Sequence, residues 1–572
     1  VKRFSRLITE LDSTTKSSAK QATLASYFRE ADPADGAWAV AIFTGRRLKR
    51  VVPYKELRAL ASEASGLPEW LVRECHSAVG DLSETIALIL PRPETGKDTP
   101  VRSLAEIFEQ RIRPMQRLDA AGKARLLRET WSELDADERY VFHKLISGNF
   151  RIGVQKRSVV RALAEAFDLD AGVMAHRLTG RFEPTPEAFE ALKAPEGEDP
   201  ASDAARPYPF YLASPIETLL GTGASSIDTV PVETIEAQLG PAWGWVAEWK
   251  WDGIRAQLIR RDGLATDSIH KAMLWSRGEE EIAESFPEIL SAASELPDGT
   301  VLDGEIVAYE HGTSLPFQAL QRRLQRKQRE ALLFQDVPVV FMAYDVLEHE
   351  GEDLRERPLS ERLDVLNRLL DAAQSDLLLR SEPVEHSTWE ELERARSESR
   401  ERSVEGLMLK LADSPYRVGR VRGDWWKWKV EPYTLDAVMV GAQLGHGRRA
   451  SLFTDYTFAV WDRDPDRHDD AELVPIAKAY SGLTNLEIKS VDKFVRDHTI
   501  ARHGPTRTVE PEMVFELAFE GIQESSRHKS GLALRFPRMA RIRSDKLPKQ
   551  ADTLQTARAL LEGHRTPPGL RR

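Results

Sequence analysis

The chain has 572 residues, a formal net charge of −11 and one cysteine, Cys75. That length exceeds a single hydrophobic core and predicts roughly three to four domains, while one cysteine excludes an intramolecular disulfide and any zinc site built on paired cysteines. No apolar run approaches the roughly twenty residues of a membrane span and the first residues lack a signal-peptide core, so a cytoplasmic protein without membrane contact is expected; the acidic balance speaks to solubility and leaves phosphate binding to local patches.

Residues 1 to about 200 read as helices, in amphipathic runs broken at Pro91, Pro93 and Gly148. Two basic clusters stand out. One holds Arg46, Arg47, Lys49 and Arg50, and the other runs from Lys144 to Arg161 through Arg151, Lys156 and Arg157. Each reads either as a solvated helical face or as a surface for phosphates. The segment from Ala194 to Pro207 is proline-rich, acidic and without periodicity, which marks a linker.

From Tyr208 to about Lys429 strand and helix patterns mix. Lys250, in Trp249-Lys250-Trp251-Asp252-Gly253, is expected on a buried strand that ends in a glycine turn. Desolvation and nearby cations lower an amine's pKa, and a neutral amine can attack a carbonyl or an activated phosphate. The alternative is a strand-edge lysine reaching water. Glu305, in Leu302-Asp303-Gly304-Glu305-Ile306, and Glu405, in Val404-Glu405-Gly406-Leu407, place carboxylates in apolar strands, where they need partners. Trp425-Trp426-Lys427-Trp428-Lys429 alternates at strand period and sends Lys427 and Lys429 to one face, with the indoles packing. Beyond Glu431-Pro432, short alternating strands around Leu435 to Gly441, Tyr456 to Trp461 and Met513 to Phe519 predict a small β-barrel. A compact basic cluster, Arg541 to Lys546, follows.

In this order the motifs resemble those of the covalent nucleotidyltransferases, and specifically the ATP-dependent DNA ligases of eukaryotic-type architecture. The resemblance covers nearly the whole chain. It implies a multidomain fold: an all-α DNA-binding domain at 1–205, an α+β adenylation domain at 206–430 and an OB-fold β-barrel at 431–572. It makes Lys250 the residue that carries AMP and places Glu248, Arg255, Arg277, Glu305, Tyr344, Lys427, Lys429, Arg543 and Lys546 around the nucleotide. Within that set Arg255 matches an arginine near the nick phosphate, Tyr344 a ring against the adenine, the Lys427 and Lys429 pair the holders of the α-phosphate, and Arg543 with Lys546 the cluster that orients pyrophosphate. Glu305 and Glu405 match the acidic motifs implicated in binding Mg2+. Gly278 departs from the asparagine often found beside the Arg277 motif, and removes a polar contact there. Leu145 to Val154 resembles the glycine-containing helix junction of the ligase DNA-binding domain, which assigns Arg46, Arg47, Arg151, Lys156 and Arg157 to DNA. The implied partners are ATP, Mg2+ and nicked duplex DNA, acted on by a monomer at the nucleoid in replication, repair or recombination.

A phosphoryl group repels nucleophiles, so its transfer needs surrounding cations, a metal and in-line geometry, all of which these residue types can supply. Taken singly, Glu305, Tyr344 or the Arg541 to Lys546 cluster would each read as a structural residue or a solvated face. Their ordered co-occurrence favours the transferase. Two other readings differ in testable ways. An RNA ligase or capping-type guanylyltransferase shares the lysine chemistry without the helical first 200 residues, and a non-catalytic nick-binding scaffold would be expected to lack Lys250 or the acidic residues. A four-cysteine zinc module, usual in NAD-dependent ligases, cannot be built from Cys75 alone.

Overall fold

The computed structural model describes residues 1–14, 16–45, 50–92, 102–148, 150, 154–179, 182–195, 207–221, 229–262, 271–278, 280–325, 337–445, 452–504 and 506–565. It divides into two compact units, one of Val1–Ser202 with Gln443–Thr454 and Ala501–Arg507, the other of Asp203–Ala442 with Asp455–Ile500 and Thr508–Arg572. Among the described residues no helix is long and apolar enough to cross a membrane.

The first unit is helical from Lys2–Ser13 to Pro186–Ala191, as the amphipathic runs predict. Local chemistry sets the ends. Asp81 accepts from the amides of Ser83 and Glu84 to start Leu82–Ile89, and Asp135 and Glu138 form a capping box on Ala136–Ser147. That helix stops at Gly148, which takes φ 70°, a conformation open to glycine at little cost. The buried stripe Val159, Val160, Ala162 and Leu163 of Lys156–Phe167 packs on Ser17–Glu30 through Leu24, Ala25 and Phe28. Cys75, in Glu69–Val79, is half-buried.

The second unit contains two sheets that face each other. One has the order Ser214–Pro215, Trp425–Lys429, Gly406–Leu411, Trp245–Trp249. The other runs Ala272–Ser276, Ile254–Arg260, Thr300–Glu310, Val339–His349, Glu352–Asp353. Alternation decides what each face does. Trp426, Trp428, Leu407, Leu409, Trp245 and Ala247 point away from the second sheet, into a core with helices Val232–Leu239 and Trp389–Ser397. Trp425 points inward and joins Tyr211, Tyr416, Ile259 and Trp275 in a core between the sheets. The outer face of the second sheet packs Leu258, Leu302, Ile306 and Phe341 against helices Pro287–Ala293 and Leu359–Ala373. From the helix Leu359–Ala373, Arg362 reaches Asp345 of the strand Val339–His349; both side chains are 0% exposed, and they form a two-pronged ion pair at 2.8 and 2.9 Å.

The C-terminal strands form the expected barrel sheet. Tyr433–Leu444 pairs with Val514–Phe519, which pairs with Arg538–Ile542, and Phe453–Trp461 pairs with Leu473–Ala479. Gly521–Glu524 and Leu532–Arg535 leave that sheet as a separate two-stranded ribbon.

Candidate active site between two sheets

The strand Trp245–Trp249 ends one residue before Lys250, so the lysine sits just past the strand on which it is expected. Backbone pairing nevertheless continues. The Lys250 amide donates to the Gly406 carbonyl and the Glu405 amide donates to the Lys250 carbonyl, both at 2.8 Å. Lys250 and Glu405 are therefore cross-strand neighbours by construction, and Lys250 Nζ meets Glu405 Oε2 at 2.5 Å. Gly406 permits this approach: its φ is 140°, and a Cβ there would lie 2.2 Å from the Trp428 carbonyl oxygen.

Lys250 lies in a cavity of about 500 Å3 between the two sheets, a size suited to a nucleotide-scale ligand. Glu248, Lys410, Lys427 and Lys429 enter from the first sheet, and Arg255, Glu305 and Tyr344 from the second. Arg277 follows the strand Ala272–Ser276 and lies exposed on the rim. Beside it Gly278 faces open space, with only Ser276 Oγ near a notional Cβ. One cavity thus gathers Lys250, Glu248, Arg255, Arg277, Glu305, Tyr344, Glu405, Lys427 and Lys429.

Electrostatics corrects one expectation. Burial does push the Lys250 amine down, but Glu405, Glu305 and Asp252 outweigh it and hold its pKa above the ordinary lysine value. The free lysine is an ammonium paired with a carboxylate, because three acids surround it where the sequence reading invoked cations. Glu405 responds in kind: burial pushes it up, yet Lys250 and Lys429 bring it down to about 2. Glu305 goes the other way. Burial outweighs Lys250 and Arg255 and raises it to about 8. Lys427 is the amine that does fall, to about 8, through burial and the neighbouring Lys429 and Lys250 charges.

Arg255 is committed to the protein itself. It forks onto Asp303 at 2.7 and 3.2 Å and donates to the Tyr211 carbonyl at 2.6 Å. Its guanidinium carbon lies 5.8 Å from the centre of the Tyr344 ring, which also has Lys410 Nζ at 4.4 Å. The Tyr344 hydroxyl donates to Asp303 at 3.3 Å. Glu248 is bound to Lys410 at 2.8 Å, with 2% and 1% of the two side chains exposed.

Other predicted residues lie elsewhere. Arg543 and Lys546 do not reach the cavity that holds Lys250; both bind Asp436, at 2.9 and 2.5 Å, and Arg543 also binds Asp545 at 2.8 Å. In the helical unit Arg46, Arg47 and Arg151 fall outside the described residues. Lys156 donates to the Leu178 carbonyl at 2.9 Å, and Arg157 sits in the same first turn of Lys156–Phe167, lowered in pKa by burial and by Arg161.

Several site residues escape the sequence reading. Lys410 carries the same signal as Lys250, a lysine inside an apolar strand, and was available to that argument. Asp303 shares the strand and face of Glu305. Arg535 had no local signal: it reaches Asp252 from the C-terminal ribbon at 2.5 and 2.9 Å. Phe536, next to it on the cavity wall, is 68% exposed and holds a positive φ of 52°.

Mg2+ prefers hard oxygen ligands, and Glu305 and Glu405 supply two carboxylates beside the cavity. Glu305, raised to about 8 by burial, would give up its proton as a cation binds. Both carboxylates are oxygen donors of the kind this ion takes.

Three family models match the chain: the DNA ligase N terminus at residues 1–164, the ATP dependent DNA ligase domain at 230–429 and the ATP dependent DNA ligase C terminal region at 449–546. A probable DNA ligase of Koribacter versatilis is 33% identical over 574 residues, spanning 95% of this chain and 93% of that one. A DNA ligase of Natronomonas pharaonis is 34% identical over 442 residues, 75% of this chain and 72% of its own. Among solved structures, Pmar-Lig_PreS3 shares the fold with a TM-score of 0.58 at 14% identity, over 94% of this chain and 99% of that chain.

Proposed function

The chain belongs to the ATP-dependent DNA ligases, enzymes that use ATP and a divalent metal to seal nicks in DNA, and on that premise we propose that Lys250 is the nucleophile that takes AMP. The observation that carries this reading is a single cavity in which Lys250 is surrounded by the phosphate-binding and metal-binding residue types of the family.

In the proposed reaction Lys250 gives its proton to solvent and its Nζ attacks the α-phosphorus of ATP; the bond to the β-phosphate oxygen breaks and pyrophosphate leaves. The 5′-phosphate of the nick then attacks the lysyl-AMP, and Lys250 leaves as an amine that recovers a proton. Finally the 3′-hydroxyl attacks the activated 5′-phosphate and releases AMP. Glu305 and Glu405 would hold Mg2+, which when bound would neutralise phosphate charge. Lys427 and Lys429 share one strand face and hold the α-phosphate oxygens. Glu248 and Tyr344 line the base end, with Lys410 fixing Glu248, and Arg277 reaches the ribose or phosphate from the rim. Arg255, gripped by Asp303, acts chiefly by holding the second sheet's inner face in register.

The paired state of Lys250 and the distance of Arg543 and Lys546 from the cavity suit the sealing steps, in which the lysine leaves and no pyrophosphate forms. Arg543 and Lys546 lie outside the cavity here, so to serve pyrophosphate release the barrel that carries them would have to turn to a second position facing the nucleotide. The helical unit would grip duplex DNA through Arg46, Arg47, Arg151, Lys156 and Arg157 by phosphate contacts that position without reading bases. We place domain limits at 1–205, 206–430 and 431–572, supported by the three family matches. A monomer working at the nucleoid in the cytoplasm, in replication, repair or recombination, completes the proposal. The match of residues 1–164 to the DNA ligase N terminus favours this over an RNA ligase or a capping-type guanylyltransferase.

The test is incubation with labelled ATP followed by nicked duplex. A protein-AMP adduct should form and then disappear as sealed strand accumulates. Lys250→Ala should abolish the adduct, keep nick binding and retain part of the sealing of a pre-adenylated nick. An adduct on the variant would show that the nucleophile is another residue.

A further inference from the structure

The C-terminal ribbon and barrel exchange charge with the active site in both directions. Arg535 brings a cation to Asp252, in the Lys250 loop. Glu520 brings an anion to Lys429, with Oε2 at 3.6 Å from Nζ. On its other side the Lys429 ammonium lies 3.3 Å from Glu405 Oε2, the same oxygen that Lys250 holds at 2.5 Å.

Glu520 is well anchored for this task. It follows the strand Val514–Phe519, its amide donates to the Arg535 carbonyl at 2.9 Å, and its Oε1 takes Arg538 at 3.0 Å. The fixed carboxylate leaves one oxygen for Lys429. Both Lys429 contacts are longer than the about 2.7–2.9 Å of a charge-assisted hydrogen bond. The two carboxylates therefore steer the ammonium electrostatically while its N–H groups stay available for phosphate oxygens. Without Glu520, Lys429 has Glu405 alone, on the oxygen that Lys250 already holds.

We propose that Glu520 is a positioning residue that shares Lys429 with Glu405 and so aims it at the reacting phosphate while the barrel is seated as it is here. The proposal rests on the assignment of Lys429 to that phosphate. It makes Glu520 matter for the sealing steps, and it makes adenylation, which uses the other barrel position, indifferent to it.

The full-length chain is tested with Glu520→Gln, which keeps shape and removes charge, and Glu520→Asp, which keeps charge. Three quantities are read: adduct formation from labelled ATP, affinity for a nick carrying a preformed 5′-adenylate, and the single-turnover sealing rate of that nick at saturation. For Glu520→Gln the sealing rate should fall by about 10-fold or more, with affinity and adduct formation within about twofold of the unaltered chain. Glu520→Asp should recover part of the rate. An unchanged sealing rate overturns the proposal. So does an equal fall in adduct formation and sealing, or a loss confined to affinity, which would make Glu520 a docking contact. If the unaltered chain forms no adduct, the fault lies in the nucleophile assignment, which this comparison keeps separate.

Discussion

Gly253→Ala adds one methyl group at one of the two tightest glycine approaches in the active site. A Cβ there would meet the Ile306 carbonyl oxygen at 2.2 Å and Glu305 Cγ at 2.8 Å, against ordinary contact from 3.4 Å. The first of these is backbone and cannot rotate aside, so the Lys250 loop and the strand Thr300–Glu310 must part by about 1 Å. That strand carries Glu305, and the loop carries the nucleophile three residues earlier. The displacement thus falls on the attack geometry, where about 1 Å costs on the order of 100-fold in rate. Overpacking should lower stability by about 1–3 kcal/mol. Rapid-quench measurement of adduct formation from labelled ATP, beside a thermal melt, separates the two effects. Adduct formation within about threefold of the unaltered chain would refute the claim that this glycine lets the two segments close on the phosphate.

Replacing Arg543 and Lys546 together by alanine should slow adduct formation from ATP far more than sealing of a pre-adenylated nick; equal losses would point to a barrel disturbed by freeing Asp436. Arg157→Ala should weaken nick binding and lower the slope of log affinity against log salt by about 0.9, one phosphate contact, without changing base preference, whereas an unchanged slope removes Arg157 from the DNA surface. Arg362→Met leaves Asp345 buried without its cation and should lower unfolding stability by about 3–5 kcal/mol in denaturant titration. A loss below about 1 kcal/mol would mean that water or a rearrangement satisfies Asp345.

What the sequence made legible is what a local period can encode. The alternation of Trp425 to Lys429 predicts one face of lysines and another of indoles, and the strand delivers it, with the refinement that Trp425 shares the lysine face. Glu305 within an apolar run reads correctly as a strand residue. Gly148 marks a helix end because its signal is conformational and belongs to one residue. Charge state was not legible in the same way. The partner of Lys250 is 155 residues away and that of Glu248 is 162 away, so the ammonium that replaces the expected neutral amine is a property of tertiary pairing. Arg255 reads as a ligand contact by motif and does line the cavity, but the carboxylate that grips it, Asp303, lies 48 residues on, and the pairing left no local signal.

These pairings share one logic. A cavity lined by unopposed cations would repel itself and destabilise the fold, whereas here most cations already hold a carboxylate: Lys250 with Glu405, Lys410 with Glu248, Arg255 with Asp303 and Arg535 with Asp252. Binding of a nucleotide and its metal then works by exchange. On the proposed roles, phosphate oxygens would take over Lys250 and Lys429 while Glu405 would turn to the metal, so that charges would be handed from one partner to another without passing through an unpaired buried state. The more buried pairs, Lys410 with Glu248 and Arg255 with Asp303, would hold the walls fixed while the Lys250 and Glu405 pair turns over. On this account, removal of a carboxylate from an exchanging pair should alter rates, and removal of one from an enclosed pair should alter folding.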